Sequence, residues 1–162
     1  MKKLFVLIAL ISLGITHSYS QNETFSKGTN AINLGVGIAS FRSFPLTASY
    51  EIGIIDGILD KGTIGVGGIV GFRTYTSVGY RYTSYSFGVR AAFHYYLVEN
   101  LDLYAGAMVG FSYFSSYYGV NPNQLFPGAY VGARYYFSPN FGVMAEAGAG
   151  ISNINGGIVF KF

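Results

Sequence analysis

Hydrophobic and polar residues alternate along most of the chain, and turn-forming residues interrupt the alternation at intervals. Within residues 29–41, for example, Ile32, Leu34 and Val36 alternate with Asn33 and Gly35. A period of two is typical of β-strands, whose successive side chains point to opposite faces. The pattern predicts strands over residues 29–41, 45–54, 63–75, 82–96, 101–114, 125–137, 141–151 and 156–162.

The two faces of these strands differ in chemistry. When each strand is phased by its aliphatic and aromatic residues, every charged residue inside the segments falls on the opposite, glycine-rich face. A random phase would give this about once in 128 trials, because side-chain facing in a strand is binary. The charged residues are Glu51, Arg73, Arg90, Asp102, Arg134, Glu146 and Lys161. One face is therefore apolar throughout, and the other is small and polar.

Two kinds of barrel could use such strands. In a soluble, lipocalin-like barrel the apolar face would be the interior and the glycine-rich face would contact water. Seven charges on that outer face are too few to keep eight strands soluble. In a membrane barrel the apolar face contacts lipid, while glycines and paired charges fill a narrow interior. A composition of 51% hydrophobic and 10% charged residues favours the membrane barrel.

The lengths and number of the segments agree with that choice. Most reach the roughly 9–11 residues that a tilted strand needs to cross a bilayer, and an even number closes a sheet without free edges. We therefore predict an all-β fold, an eight-stranded antiparallel up-and-down transmembrane β-barrel, over residues 29–162. With both termini in the periplasm, the connections around residues 98–100 and 138–140 become short periplasmic turns.

The N-terminus has the features of a secretory signal. Lys2 and Lys3 precede an apolar run over residues 4–15, and small residues follow it. The run is too short for a spanning helix. We predict that residues 1–20 are a signal peptide for the general secretory pathway, cleaved between Ser20 and Gln21. Residues 21–28 then form a polar N-terminal stretch ahead of the barrel.

Charge and cysteine content exclude several classes of function. Without Lys2 and Lys3, eight Lys and Arg residues face seven Asp and Glu, so nucleic-acid binding has no support. The chain contains no cysteine, which removes disulfides and thiol chemistry. The glycine run at residues 65–71 lacks the Lys-Ser/Thr of a phosphate-binding loop. We expect no cofactor and no metal.

The interior of an eight-stranded barrel is just wide enough for side chains to fill it. We therefore expect no permanent pore and predict ion pairs among the inward charges, since an isolated buried charge is costly. Hairpin register suggests Glu146 as the hub, close to Lys161 and diagonal to Arg134. A proton- or ion-conducting path through these charges is the alternative.

Tyrosines cluster near the predicted outer rim, at Tyr75, Tyr80, Tyr82, Tyr85, Tyr113, Tyr117 and Tyr118. An aromatic girdle in the headgroup layer accounts for them without a partner. A surface at which these tyrosines bind a partner is the alternative.

The last residues resemble the C-terminal signal by which outer-membrane barrels engage the barrel-assembly machinery. Asn155, Gly157, Phe160 and Phe162 occupy the pattern's polar, glycine and two hydrophobic positions. Residues 25–162 as a whole resemble the OmpA/OmpX-like group of eight-stranded barrels, and segments such as residues 44–53, 65–72 and 134–150 are similar to small outer-membrane β-barrel domain proteins of Bacteroidetes. The resemblance implies a membrane-embedded structural or interaction role and no defined reaction. We also expect a monomer in contact with outer-membrane lipid and lipopolysaccharide.

Some proteins of this architecture modify lipid A with a His, a Ser and an acidic residue near the outer leaflet. Here His17 leaves with the signal peptide, and His94 faces the interior at the opposite, periplasmic end of its strand. We therefore predict that the chain is not an enzyme. A lipid-modifying enzyme, a narrow conduit for small or hydrophobic compounds and a soluble secreted barrel are the alternatives.

Overall fold

The structure is a computed structural model that describes residues 24–39, 43–77, 80–115 and 124–162. The predicted signal peptide, with Ser20 and Gln21, lies outside the described residues, and so do Tyr117 and Tyr118. No helix in the described ranges is long and apolar enough to cross a membrane.

The described chain forms a closed sheet in which each strand pairs antiparallel with its neighbours in sequence, and β1 pairs with β8. The strands are β1 (Asn30–Ile38), β2 (Leu46–Ile58), β3 (Gly62–Ser77), β4 (Tyr80–Val98), β5 (Leu101–Ser115), β6 (Gln124–Tyr136), β7 (Phe141–Ala149) and β8 (Ile154–Lys161). The prediction of an eight-stranded antiparallel up-and-down barrel is confirmed. Closure gives every described strand two neighbours, so the sheet has no edge strand with which another chain could pair and aggregate.

Several strand ends differ from the sequence prediction. β2 continues to Ile58 and takes in Asp56, whose side chain is exposed. β3 and β4 remain paired as far as Ser77 and Tyr80, so residues 76–81, which separate the predicted strands 63–75 and 82–96, are mostly strand. β7 ends two residues early, at Ala149, because the following connection turns inward and buries Ile151.

The apolar face lies outside. Leu34, Val36, Val70, Val89 and Val131 are among its exposed residues. The burial pattern alternates as the sequence predicted, so polar and glycine residues line the lumen. The lipocalin-like alternative, which puts the apolar face inside, is therefore wrong for this fold.

Two ends of the barrel can be distinguished. The terminal end is where β1 begins and β8 ends, and it carries the turns between β2 and β3, β4 and β5, and β6 and β7. Leu59, Asp60 and Asn100 have positive φ in two of these turns, as tight reversals require. The loop end carries the other connections.

Candidate functional site: the barrel lumen

The lumen is filled by three layers of side chains. Nearest the terminal end is the histidine cluster, formed by Glu51, His94, Asp102 and Arg134. Above it lies the middle layer, formed by Arg90, Tyr104, Tyr130 and Glu146. Nearest the loop end is the apolar cap, formed by Ile69, Met108, Phe126 and Ile151.

Arg134 holds the histidine cluster together. Its side chain is fully buried, and its Nη2 donates to Glu51 Oε2 at 2.5 Å while Nη1 donates to Asp102 Oδ2 at 3.3 Å. The three residues come from β6, β2 and β5, so the pairings connect different parts of the barrel wall. A guanidinium suits this position because its planar fork offers several donors in fixed directions.

His94 lies between the same two carboxylates. Its Nε2 is 2.9 Å from Glu51 Oε1, and its Nδ1 is 3.0 Å from both carboxylate oxygens of Asp102. An ionised carboxylate only accepts hydrogen bonds, so both contacts are satisfied when both ring nitrogens carry protons. The ring is 1% exposed and stacks on Phe25 at a centroid distance of 4.1 Å.

The middle layer is built around a second ion pair. Arg90 Nη2 donates to Glu146 Oε2 at 2.7 Å, and Arg90 Nε donates to the Tyr130 hydroxyl at 3.0 Å. Tyr104 donates its hydroxyl to the same Glu146 oxygen at 3.1 Å. The Tyr104 ring also packs 5.2 Å from His94 and 4.7 Å from the Arg134 guanidinium, so it connects the two layers.

Glycines in the wall make room for these rings. A Cβ at Gly106 would clash with the end of the Tyr130 ring, and one at Gly132 would clash with the end of the Tyr104 ring. The glycine-rich inner face is therefore the complement of the inward aromatics. Small and large residues alternate, so the aromatic rings fit into the narrow lumen and fill most of it.

The apolar cap closes the lumen toward the loop end. Ile151, from the connection between β7 and β8, packs into the space over Gly71 and joins Ile69 and Met108. A cavity beside Glu146 and the cap measures about 10 Å³, which is room for about one water molecule at most. Side chains, rather than solvent, occupy this part of the lumen.

The sequence predicted inward charges but not their partners. The predicted pairing of Glu146 with Lys161 is wrong: Glu146 lies opposite Asn155 in the β7–β8 register, well up the barrel from Lys161. Its partner, Arg90, projects from β4 across the lumen. Hairpin register predicts contacts between neighbouring strands, whereas a narrow barrel also brings together strands that are not adjacent.

The remaining predicted charges lie elsewhere. Lys161 donates from Nζ to the Thr24 carbonyl at 3.0 Å and lies 4.5 Å from the centre of the Tyr136 ring. Arg73 lies opposite Ser84 toward the loop end and is partly buried.

The residues of the C-terminal pattern have separate places in the fold. Asn155 is buried in the lumen and donates from Nδ2 to Thr47 Oγ1 at 2.8 Å. Gly157 lies directly against the β1 backbone at Leu34, where a Cβ would not fit. Phe160 pairs with Ile32 of β1, and Phe162 is exposed.

Two shallow grooves on the outer face are lined mainly by apolar side chains around Ala48, Val70 and Phe87. Tyr85 and Tyr113 of the predicted girdle lie opposite each other on the same outer face, and both are exposed. Within the described residues, no group of three or more His, Asp or Glu side chains is arranged to hold a metal ion.

No protein-family model matches the chain, and no curated protein matches it. Solved structures do. A de novo designed transmembrane β-barrel is 22% identical, with a TM-score of 0.61 over 85% of this chain and 98% of the design. Ail, the attachment invasion locus protein of Yersinia pestis, is 15% identical, with a TM-score of 0.51 over 84% of this chain and 99% of Ail. The outer membrane enzyme PagL is 13% identical, with a TM-score of 0.51 over 82% of this chain and 98% of PagL.

These similarities define a class: the fold is the small eight-stranded barrel found in outer-membrane proteins. At these identities they define the fold alone, because proteins that share an architecture often differ in function.

Proposed function

We propose that the chain is a non-enzymatic integral protein of the bacterial outer membrane, with a structural or surface-interaction role and no permanent open pore. Among such proteins we place it in the OmpA/OmpX-like group, with the small barrels of Bacteroidetes. The observation that carries the proposal is the inverted distribution of polarity. Apolar side chains such as Leu34 and Val131 face outward, while fully buried ions such as Arg134 and Glu51 fill the lumen.

The inverted distribution fits a lipid environment. A protein in water buries its apolar side chains, and a contiguous apolar exterior marks a surface that something other than water covers. A bilayer covers such a surface on all sides of a barrel. The proposed contacts are therefore outer-membrane lipid and lipopolysaccharide. We also propose that the chain is exported through the general secretory pathway, that the barrel-assembly machinery is its partner during biogenesis, and that the folded barrel is a monomer.

The filled lumen supports the absence of a pore. Three layers of side chains obstruct the axis, and both buried arginines, Arg90 and Arg134, pair with carboxylates. Opening a path would separate buried charges from their partners, which is costly. A conduit for small or hydrophobic compounds would need all three layers to rearrange.

An enzyme remains the second candidate because PagL has the same fold. His94 is poorly placed for chemistry on a lipid. Both of its ring nitrogens are occupied by carboxylates, Phe25 and Tyr104 stack against it, and it is 1% exposed. A general base has to reach the proton that it abstracts.

Heat-modifiable gel mobility of the detergent-extracted membrane fraction tests the membrane barrel. We expect the unboiled protein to migrate differently from the boiled protein, because a closed barrel unfolds slowly in SDS until it is heated. N-terminal sequencing of the same band should begin at Gln21. A heat-insensitive protein in the soluble fraction would contradict the proposal.

Planar bilayer recording tests the closed lumen. The purified barrel should insert without adding stepwise current above the lipid background. Stable single-channel openings would overturn the absence of a pore and favour the conduit.

A further inference from the structure

Residues 24–28 do not belong to any strand, yet they fold back into the terminal end of the barrel. Thr24 and Phe25 are both buried. The sequence gives little sign of this placement, because these residues belong to a polar stretch in which Phe25 is the one large apolar side chain. We refer to residues 24–28 as the N-terminal plug.

The plug is held by three different strands. Lys161 of β8 donates from Nζ to the Thr24 carbonyl at 3.0 Å, and Thr63 of β3 donates from Oγ1 to the Phe25 carbonyl at 3.1 Å. The Gly28 amide donates to the Gly53 carbonyl of β2 at 2.9 Å. These hydrogen bonds therefore anchor the plug along one arc of the wall, from β8 through β1 and β2 to β3, and its Phe25 ring projects toward Arg134 of β6.

Glycines shape the seat of the plug. A Cβ at Gly53 would clash with the Ser26 carbonyl oxygen. A Cβ at Gly65 would press on the Phe25 ring as well as on Glu51 and His94. Both glycines are therefore needed where the plug passes, and the inner wall is fitted to it.

Phe25 covers the histidine cluster. Its ring stacks on His94 at 4.1 Å and lies 5.5 Å from the Arg134 guanidinium. On the opposite side of His94, the Tyr104 ring closes the cluster from above. The cluster is thus enclosed between two aromatic rings, and its charges interact more strongly where water is excluded.

We propose that the N-terminal plug is an intramolecular seal of the terminal end, and that Phe25 is the side chain that keeps water from the histidine cluster. The barrel ladder closes through β1 and β8 without the plug. Because the plug lies outside that ladder, it can open locally while the barrel stays folded. The proposal extends the proposed closed lumen by assigning one of its seals to a specific segment.

Cysteine labelling tests the seal, since the chain has no native cysteine. Thr63→Cys places a thiol directly beneath the plug, at a position that is 3% exposed. It removes the Thr63 hydrogen bond to the Phe25 carbonyl, so every comparison is made within the Thr63→Cys background, where that bond is absent throughout. In detergent micelles, a charged methanethiosulfonate reagent should label this variant slowly. Adding Phe25→Ala should raise the labelling rate about tenfold or more, because local opening no longer has to displace the ring.

The matched control removes a ring from the other end of the lumen. Phe126→Ala takes an aromatic side chain from the apolar cap, and in the Thr63→Cys background it should leave the labelling rate unchanged. Equal labelling with and without Phe25, or equal acceleration by Phe126→Ala, would overturn the proposal. Heat-modifiable mobility verifies that each variant is folded.

A second variant covers the case in which Phe25→Ala fails to fold. Gly53→Ala places a methyl group against the Ser26 carbonyl and pushes the plug from its seat, so it should also speed labelling of Cys at position 63. An unchanged rate in folded Gly53→Ala would contradict the seal.

Bilayer conductance of the wild-type barrel tests the closed lumen separately from the seal. Phe25→Ala should remain non-conducting, because the middle layer still fills the axis.

Discussion

Arg134 shows how the interior selects its residues. Its guanidinium is fully buried and pairs with Glu51 and Asp102. Taking such ions out of water costs several kcal/mol for each ion, so the net gain in stability from a buried ion pair is small. Removing one partner is a different matter, because the remaining charges are then buried without compensation. The cluster therefore favours this one arrangement of the lumen more than it adds to overall stability.

Replacing Arg134 with Met should be strongly destabilising. The variant leaves the two carboxylates of Glu51 and Asp102 with His94 as their one remaining partner, so at least one acid is uncompensated. We expect the free energy of unfolding to fall by about 3–5 kcal/mol. Urea titration of the refolded protein in detergent micelles measures the change. The triple variant that adds Glu51→Gln and Asp102→Asn should recover part of the loss, since no unpaired acid then remains.

Lys27→Met is the control for the Arg134 prediction. Lys27 is exposed, and the same change of chemistry there should alter stability by no more than about 0.5 kcal/mol. An Arg134→Met barrel as stable as Lys27→Met would mean that the cluster adjusts freely to the loss of its cation.

Residue facing could be predicted from the sequence, but partners across the lumen could not. Alternation alone places Arg90 and Glu146 on the inner face, because side chains in a strand have only two directions. Their contact joins β4 to β7 across the lumen and depends on the diameter of the closed barrel. Phe25 was missed for a related reason: no periodicity marks a segment that lies across the end of a barrel.

At the scale of strands, the seam between β1 and β8 receives extra support from the lumen. Asn155 of β8 reaches past β1 to the Thr47 hydroxyl of β2. Asn33 of β1 donates to Ser49 of β2 at 2.9 Å in the same region. These side chains link three consecutive strands in addition to their backbone ladders.

Asn155→Ala and Thr47→Val separate a folding role of Asn155 from an assembly role. Each removes the hydrogen bond between Asn155 and Thr47, and Thr47→Val also removes the longer one from Thr47 Oγ1 to the Gly35 carbonyl at 3.4 Å. Each should lower the stability of the refolded barrel by about 1 kcal/mol. Thr47 lies outside the C-terminal pattern. If Asn155 is also part of an assembly signal, Asn155→Ala alone should reduce the amount of barrel recovered from the outer membrane of expressing cells. Equal recovery of the two variants would count against the signal.

The strand number could be predicted from turn residues and alternation, while several strand ends could not. β4 extends beyond its predicted range because Ser77 and Tyr80 continue the ladder with β3. β7 is shorter because Ile151 turns inward to fill the lumen above Gly71. In both cases pairing and packing override the local turn signals.

At the scale of the whole molecule, the distribution of polarity is the reverse of that in a water-soluble barrel. The outer surface should therefore tolerate charge poorly wherever lipid covers it. Val131 is an outward-facing residue within β6 and is 59% exposed. This makes it a direct probe of the environment around the barrel.

Val131→Lys should destabilise the barrel in lipid vesicles by about 2–4 kcal/mol, the cost of a lysine near the bilayer midplane. Urea unfolding measures this change. The near-UV signal of the tyrosines follows the unfolding, since the chain contains no tryptophan. Pro139→Lys, in the exposed β6–β7 turn, is the control and should cost about 1 kcal/mol or less. Equal effects of the two substitutions would indicate that lipid does not cover the face around Val131.

The pairing of the first strand with the last also determines when the molecule can finish folding. Ala31 lies opposite Lys161, so β1 completes its ladder only after nearly the whole chain is in place. Contacts this distant in sequence form slowly, because the entropy of closing the intervening loop opposes them. Until then the chain exposes two open strand edges and a row of apolar side chains, which makes it prone to aggregation. We expect closure of this seam, rather than formation of any single hairpin, to limit the folding rate.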